Sequence, residues 1–248
     1  TVIALLPLIG LMEKLVVFLF PDNGAQAEDQ DMDRLEERFL QHPALSIEQS
    51  RLVTNSMAER AAGQPLDAMA LRTDFSEKGF HAISETEPLI DRYEDKLGTY
   101  LMKITSRSLS SAQSEEVSKF LHTISDFERI SDHALNISET AKEIHDKNMV
   151  FSPAALREME IMESALREIL TISIAAFVAN DIQQAARVEP LEEIIDVMVE
   201  RLRDQHIRRL KDGVCSIDTG VVFLDVLNNA ERISDHCSNV AARLIGMD

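Results

Sequence analysis

Residues 128–133 read Glu-Arg-Ile-Ser-Asp-His, and residues 231–236 repeat the same six amino acids. An asparagine follows each copy one helical turn on, at Asn136 and Asn239, so every matched pair is 103 residues apart. Six identical consecutive residues do not recur at random in a chain of 248. Because self-similarity at one fixed long offset indicates internal duplication, the sequence predicts two equivalent halves.

Each copy of the repeat places two carboxylates four residues apart, Glu128 with Asp132 and Glu231 with Asp235. On an α-helix this spacing stacks the side chains on one face, where like charges cost roughly 0.2–0.5 kcal/mol in an isolated helix. Oxygen-only ligands suit hard cations such as Mg²⁺, Ca²⁺, Mn²⁺ or ferric iron. The doubled pattern predicts compensation by a cation. The alternative is a solvated acidic face on which Arg129 forms local ion pairs.

Apolar residues accompany both copies at three- and four-residue steps, which is the period of an amphipathic helix. The two stripes match at the same offset, and the carboxylates lie off them. Their members are Phe127, Ile130, Ala134, Ile137 and Ala141 in the first copy, and Ala230, Ile233, Cys237, Val240 and Leu244 in the second. The pattern predicts two bundle helices that bury these stripes.

The composition is acidic and helical. The formal net charge is −18, from 43 acidic against 25 basic residues, which argues against a nucleic-acid partner. It also argues against bare phosphate as a ligand unless a metal bridges it. The cysteines, Cys215 and Cys237, lie in dissimilar contexts and indicate neither a disulfide scaffold nor a zinc site. They fit a reducing compartment.

Capping residues, prolines and glycines divide the chain into six predicted helices. Ser46 and Ser152 are expected N-caps, Pro88 and Pro190 are expected to kink their helices, and residues 63–65 mark a candidate break. The predicted helices cover about 46–72, 74–106, 114–148, 152–181, 181–211 and 218–248. Without a strand pattern, the prediction is an all-α fold of two tandem antiparallel three-helix bundles, 46–148 and 149–248.

A second tier of acids extends the repeat. Glu-Pro-Leu at 87–89 matches the same tripeptide at 189–191, an offset of 102. Acidic residues that follow at matching positions are Asp91 and Glu94 in the first half, and Glu193 and Asp196 in the second. If helices 2 and 3 bring four acids together, and helices 5 and 6 another four, two equivalent cation sites result. The alternative is again that these acids line solvated faces.

Several catalytic patterns are absent from the sequence: Glu-x-x-His pairs of di-iron enzymes, Gly-rich phosphate loops, Gly-x-Ser-x-Gly and His-Glu-x-x-His. His133 and His236 directly follow the motif aspartates, which turns them about 100° away around the helix. We interpret them as structural residues rather than ligands.

Residues 2–20 are almost wholly apolar, and residues 21–45 form an acidic, turn-rich linker. The apolar segment has about the length of a membrane span of ~20 residues. It could be a signal peptide, although no basic region precedes it, or a buried or swapped helix of an oligomer. We favour a third interpretation, the last helix of a transmembrane domain.

The doubled Glu-Arg-Ile-Ser-Asp stretch with its trailing Asn resembles the PhoU family over about residues 46–246. Ser131 and Ser234 stand where that family often has Gly. The resemblance implies two three-helix bundles whose motif acids bind multinuclear transition-metal clusters, with iron first and zinc, manganese or nickel as alternatives. It implies a non-enzymatic regulator of phosphate uptake and signalling.

The join of the apolar segment, the acidic linker and His42-Pro43-Ala44-Leu45 resembles bacterial sodium/phosphate cotransporters. There a PhoU-like domain follows the membrane domain on its cytoplasmic side. The resemblance implies that the partner is the chain's own membrane transport domain, or, for a free-standing cytoplasmic protein, an uptake transporter and a sensor kinase. A homodimer or higher oligomer is expected, and no nucleic-acid partner.

Overall fold

The computed structural model describes residues 31–246, which form six long helices without any strand in that range. The helices are α1 (Pro43–Leu71), α2 (Glu77–Thr105), α3 (Ser111–Asp146), α4 (Pro153–Ala179), α5 (Val188–Lys211) and α6 (Ile217–Ile245). None of them combines the length and apolar character that a membrane crossing needs. The predicted all-α fold is confirmed, while the apolar segment 2–20 lies outside the described residues.

The helices pack as two groups of three. Helices α1, α2 and α3 contact one another, as do α4, α5 and α6. Contacts of α3 with α6 and of α1 with α4 join the groups. The two motif helices therefore lie side by side at the junction of the bundles, and each faces a different second helix, α2 or α5.

Serine side chains begin four of the six helices. Ser76 accepts a hydrogen bond from the Gly79 amide, and Ser152 accepts one from Ala155, with Pro153 in the first turn of α4 as predicted. Ser110 forms a full capping box with its third helical residue, and Ser216 caps α6. These bonds satisfy amide groups that the first helical turn leaves without backbone partners.

The first helix begins earlier than the sequence predicts. It starts at Pro43, because proline fits the first helical position, where no amide donor is required. Ser46 is not its cap; the hydroxyl is buried inside the helix and donates to the Phe39 carbonyl at 2.6 Å. The spacing of Ser46 and Gln49 matches a capping box, but in the folded protein Ser46 lies inside the helix and bonds to the preceding segment.

Pro190 acts differently from expectation. Helix α5 begins at Val188, after a four-residue helical turn at Ile182–Ala185, so Pro190 lies in its first turn and does not interrupt it. The kink predicted there is wrong, since a first-turn proline loses no helical hydrogen bond. Pro65 and Pro88 do lie inside α1 and α2, and both helices continue through them.

Helix α1 is not broken at residues 63–65, and one of these residues forms a hydrogen bond to α3 instead. Gln64 is buried in α1, and its side-chain amide donates to the Ser131 hydroxyl of α3 at 2.9 Å. The motif serine of the first half thus has a buried partner. The equivalent hydroxyl of Ser234 is buried without a hydrogen-bond partner.

Part of the predicted linker is packed structure. Residues 31–42 lie along bundle 1 and include a short 3-10 helix, Glu37–Gln41. Met32 and Leu40 are buried in the core, and the Tyr100 hydroxyl donates to the Glu36 carbonyl at 3.0 Å. The buried apolar side chains and the hydrogen bond from Tyr100 of α2 hold this acidic stretch against the bundle, where its 3-10 helix contacts α1. Residues 21–30, the rest of the linker, lie outside the described part of the chain.

Both predicted apolar stripes are buried. Every member is at most 8% exposed, and the core of the two bundles forms one contiguous cluster. Cys237 is fully buried, and burial raises the pKa of its thiol to about 12, so it behaves as a small apolar side chain. The duplicated motif helices therefore serve the packing of both halves.

Candidate metal centre

Three carboxylates meet between α5 and α6. Glu192 and Asp196 lie one turn apart on α5, and Asp235 faces them from α6. One oxygen of each lies within 4.8 Å of the others. We call these residues the second-half cluster. An oxygen-only set on two helices is suited to hard cations and would hold the helices together when one is bound.

Two carboxylates of the second-half cluster, those of Glu192 and Asp196, have no cationic partner among residues 31–246. The Oδ1 atom of Asp196 is buried without a hydrogen-bond donor. Among the ion pairs of residues 31–246, none involves Glu192 or Asp196. A buried carboxylate oxygen without a donor is costly, and a cation would relieve that cost. The residues present therefore fit a metal ion.

Electrostatics in the cluster point the same way. Partial burial, together with the neighbouring Asp196 and Asp235 carboxylates, raises the pKa of Glu192 to about 7. Burial and Asp196 also raise the pKa of Asp235, against the opposing effect of Arg232. Bringing like charges together in a half-buried site disfavours ionisation.

This shift predicts a pH dependence of the metal-free protein. Glu192 titrates near 4.3 when unfolded, so below that pH both states are protonated and nothing is lost. Between about pH 4 and 7 the folded state holds a proton that the unfolded state has released, so stability falls as pH rises. Glu192→Gln should therefore gain about 1–2 kcal/mol over wild type at pH 8, allowing for solvent screening, and little at pH 4.

Urea unfolding of chelator-treated protein at the two pH values measures this difference. Glu200→Gln is the matched control, since Glu200 is an exposed residue of the same helix. Parallel pH profiles for Glu192→Gln and wild type would contradict the prediction.

Two arginines lie at the edge of the cluster. Arg203 approaches Glu231 at 3.4 Å, and Arg232 approaches Asp235 at 3.3 Å. Burial still raises the pKa of Glu231 despite Arg203. The sequence-predicted Glu231 thus lies beside the three converging carboxylates, paired to an arginine, and is not one of them.

The equivalent acids of the first half are arranged more loosely. They are Glu87, Asp91 and Glu94 on α2, with Glu128 and Asp132 on α3, and we call them the first-half cluster. Arg129 approaches Glu128 at 3.3 Å and Asp132 at 3.9 Å. Burial raises the pKa of Glu128, and Arg129 opposes this, while Glu94, Asp132 and Asp91 add to the rise. The acids are close enough to interact, although within residues 31–246 only the second-half cluster brings three carboxylate oxygens within 4.8 Å of one another.

The pattern of buried residues corrects the predicted alignment of α2 with α5, the second helices of the two halves. An offset of 105, not 102, aligns buried Ile90 with Ile195 and pairs Glu87 with Glu192 and Asp91 with Asp196. Glu193, predicted as the counterpart of Asp91, is exposed and outside the cluster. The shared Glu-Pro-Leu tripeptide misled the alignment, because its second copy lies at the exposed start of α5.

Glu192 is the member of the second-half cluster that sequence reasoning missed. A signal was present, since residues 87–91 and 192–196 both read Glu-x-x-x-Asp, the same spacing as in the motif helices. Asp196 was predicted as the counterpart of Glu94. It does lie in the cluster, but its position there is equivalent to that of Asp91. Glu94 therefore has no acidic counterpart in the second half, where the aligned residue is the buried Val199.

The motif histidines lie away from the carboxylates, as their direction on the helix predicts. The rings of His133 and His236 stack where α3 meets α6, with centroids 5.7 Å apart and planes inclined by 27°. Burial lowers the pKa of His133. Their contacts are between helices, which is what a structural role requires.

Comparison with known proteins identifies the family. The model of the PhoU domain matches twice, at residues 54–141 and 159–244, which together cover well over half of the chain. This chain belongs to the PhoU family. The two matches fall on the two bundles and include both copies of the motif, so the family repeat and the duplication read from the sequence coincide.

Curated relatives of this PhoU-family chain are similar over most of their length. The "phosphate-specific transport system accessory protein PhoU homolog 1" of Thermotoga maritima is 23% identical over 72% of this chain and 77% of its own. A PhoU homologue of Xylella fastidiosa is 25% identical over 80% of this chain and 84% of its own.

Solved structures share the fold. PhoU from Pseudomonas aeruginosa matches with a TM-score of 0.76 at 20% identity, over 81% of this chain and 95% of its own. The regulatory protein PhoU from Streptococcus pneumoniae matches with a TM-score of 0.74 at 17% identity, over 83% and 96%. Both likenesses support the tandem three-helix architecture.

Proposed function

We propose that this chain is a non-enzymatic regulator of phosphate transport that holds metal ions in its two carboxylate clusters. Membership of the PhoU family and relatives named as accessory proteins of a phosphate-specific transport system support the regulatory part. The convergence of Glu192, Asp196 and Asp235 supports the metal part. Iron is the first candidate, with manganese, zinc or nickel as alternatives.

The physical role of the metal follows from the placement of its ligands. Glu192 and Asp196 belong to α5 and Asp235 to α6, so their repulsion pushes the two helices apart. A bound cation would reverse the sign of that interaction and hold the helices at a fixed spacing. Metal occupancy would thereby set the shape of the outer helices that a transporter could contact.

The partner in this proposal is a phosphate transporter or the membrane transport domain of a sodium/phosphate cotransporter. The chain would act at the cytoplasmic face of the membrane, or in the cytoplasm, as a homodimer or higher oligomer. The resemblance of residues 2–45 to the cotransporter join supports the membrane-domain version. Cross-linking in cells, followed by identification of the captured membrane protein, separates the two versions.

Metal binding at the second-half cluster is tested by thermal unfolding. At 100 times its Kd, Mn²⁺ should stabilise wild type by about 2.7 kcal/mol, which raises the Tm by roughly 5–10 °C in a domain of this size. Asp196→Asn removes one ligand charge and should lose most of this rise while leaving the metal-free Tm equal or higher.

Asp204→Asn is the matched control for this experiment, because it makes the same change at an exposed position of α5. It should keep the full response to Mn²⁺. If wild type shows no rise with Mn²⁺, Fe²⁺ or Zn²⁺, the metal part of the proposal fails. A metal-free acidic scaffold, whose exposed acids dock basic partner surfaces, is then the better description.

A further inference from the structure

The two motif histidines form reciprocal hydrogen bonds across the junction of the bundles. His133 Nδ1 on α3 lies 2.9 Å from Asn229 Oδ1 on α6, and His236 Nδ1 on α6 lies 2.9 Å from Asp126 Oδ1 on α3. Asn229 donates through its Nδ2 atom to the Asp225 carbonyl, so its Oδ1 accepts and His133 donates. We call these four residues the histidine seam.

The seam follows the internal duplication. Asp126 and Asn229 are 103 residues apart, the same offset that separates the histidines. The second bond has additional support, since Asn239, the trailing asparagine of the second motif, also donates to Asp126 Oδ1 at 3.2 Å. One interaction is therefore built twice from equivalent positions, once with a carboxylate acceptor and once with an amide.

The two bonds of the seam join the turns of α3 and α6 that lie beside the two carboxylate clusters. His133 directly follows Asp132 of the first-half cluster, and its acceptor Asn229 lies two residues before Glu231. In the same way His236 follows Asp235 of the second-half cluster, and its acceptor lies two residues before Glu128. Both motif helices carry acids of the clusters on the sides that face α2 and α5. On the sides where α3 and α6 meet, the two bonds of the seam hold them together.

We propose that the histidine seam couples the two clusters, so that an ion bound at one raises the affinity of the other; this rests on the metal binding proposed above. An ion at Asp132 restricts the orientation of its helical turn. The bonds from His133 to Asn229 and from His236 to Asp126 pass that restriction to α6, where His236 directly follows Asp235 of the second-half cluster. Because the ordering cost is met by the first ion, the second binds more tightly.

The coupling is measured as a ratio of affinities for Mn²⁺ alone, followed by the electron paramagnetic resonance of free Mn²⁺. Asp132→Asn disables the first-half cluster, and the affinity of the second-half cluster is compared with that in wild type. We expect binding to be at least about five-fold tighter in wild type. In a His133→Phe/His236→Phe background, which keeps the aromatic stack but removes both donors, the ratio should fall to about one.

Three further variants separate coupling from general packing. Asp126→Ala/Asn229→Ala removes both acceptors instead and should also bring the ratio to about one, which covers the case that the double histidine variant misfolds. Asp126→Asn retains an acceptor for His236 and should preserve the ratio. His122→Phe, at an exposed position of α3, should change nothing.

The outcomes distinguish this proposal from the one it rests on. Mn²⁺ binding at both clusters, with a wild-type ratio near one or a ratio unchanged in the two double variants, overturns the coupling alone. Mn²⁺ binding at only one cluster also overturns the coupling, whereas absence of binding of Mn²⁺, Fe²⁺ and Zn²⁺ at both clusters overturns the metal part of the proposed function as well.

Discussion

Replacing Glu158 with alanine is expected to lower the free energy of unfolding by about 3–5 kcal/mol. Glu158 on α4 makes two hydrogen bonds of 2.6 Å to the guanidinium of Arg209 on α5, and the side chains are only 10% and 13% exposed. The guanidinium also lies over the Phe223 ring of α6, at 5.5 Å from its centroid. Removing the carboxylate leaves a buried charge without compensation.

The size of this effect depends on burial and not on ion pairing as such. Glu143→Ala, which breaks the exposed pair with Lys147 on α3, should cost less than about 1 kcal/mol. The double variant Glu158→Leu/Arg209→Met should recover much of the loss, since apolar replacement of a buried pair is often neutral. Chemical denaturation of the four proteins gives the comparison, and a Glu158→Ala loss no greater than that of Glu143→Ala would contradict it.

Phe127→Ala is expected to lower the free energy of unfolding by about 3–5 kcal/mol, mainly through the cavity that it leaves. The Phe127 side chain is fully buried, and its ring meets Phe177 edge-to-face with centroids 5.0 Å apart. Phe127 belongs to α3 and Phe177 to α4, so this contact joins the two bundles. Because the core is one contiguous cluster, both bundles should lose stability together.

Two measurements check this second prediction. Calorimetry should give a single unfolding transition for wild type and for Phe127→Ala, shifted to lower temperature in the variant. Ile194→Ala, at a side chain 63% exposed, should stay within about 0.5 kcal/mol of wild type. Separate transitions for the two halves in wild type would show that the bundles are independent, contrary to expectation.

The regulatory proposal gains physical content from these contacts. Bundle 1 and bundle 2 share a core, and the motif helices that carry both carboxylate clusters form the junction. In the proposed function, a change of metal occupancy in one half would act on a helix that also packs against the other half.

Local sequence was a sound guide wherever one strong local signal decided the structure. The serine cap of α4 and the apolar stripes around the motif were read correctly, because capping and amphipathic burial depend on residues within one or two turns. The predictions for the start of α1 and for the effect of Pro190 were wrong. In both cases the outcome depended on where the neighbouring segment packed, which changed the position of the residue within its helix.

The amino-acid sequence by itself determined the duplication, the all-α architecture and the placement of Glu128, Asp132, Glu231 and Asp235 on two matching helices, since these follow from repeat spacing and helical period. Only the tertiary structure decided which acids of the second helices face them. The rotation of α5 about its axis is set by the buried residues that it packs against α4 and α6, and that rotation brings Glu192 inward and turns Glu193 to solvent. A shift of one residue along a helix turns a side chain by about 100°, so packing fixes which carboxylates converge.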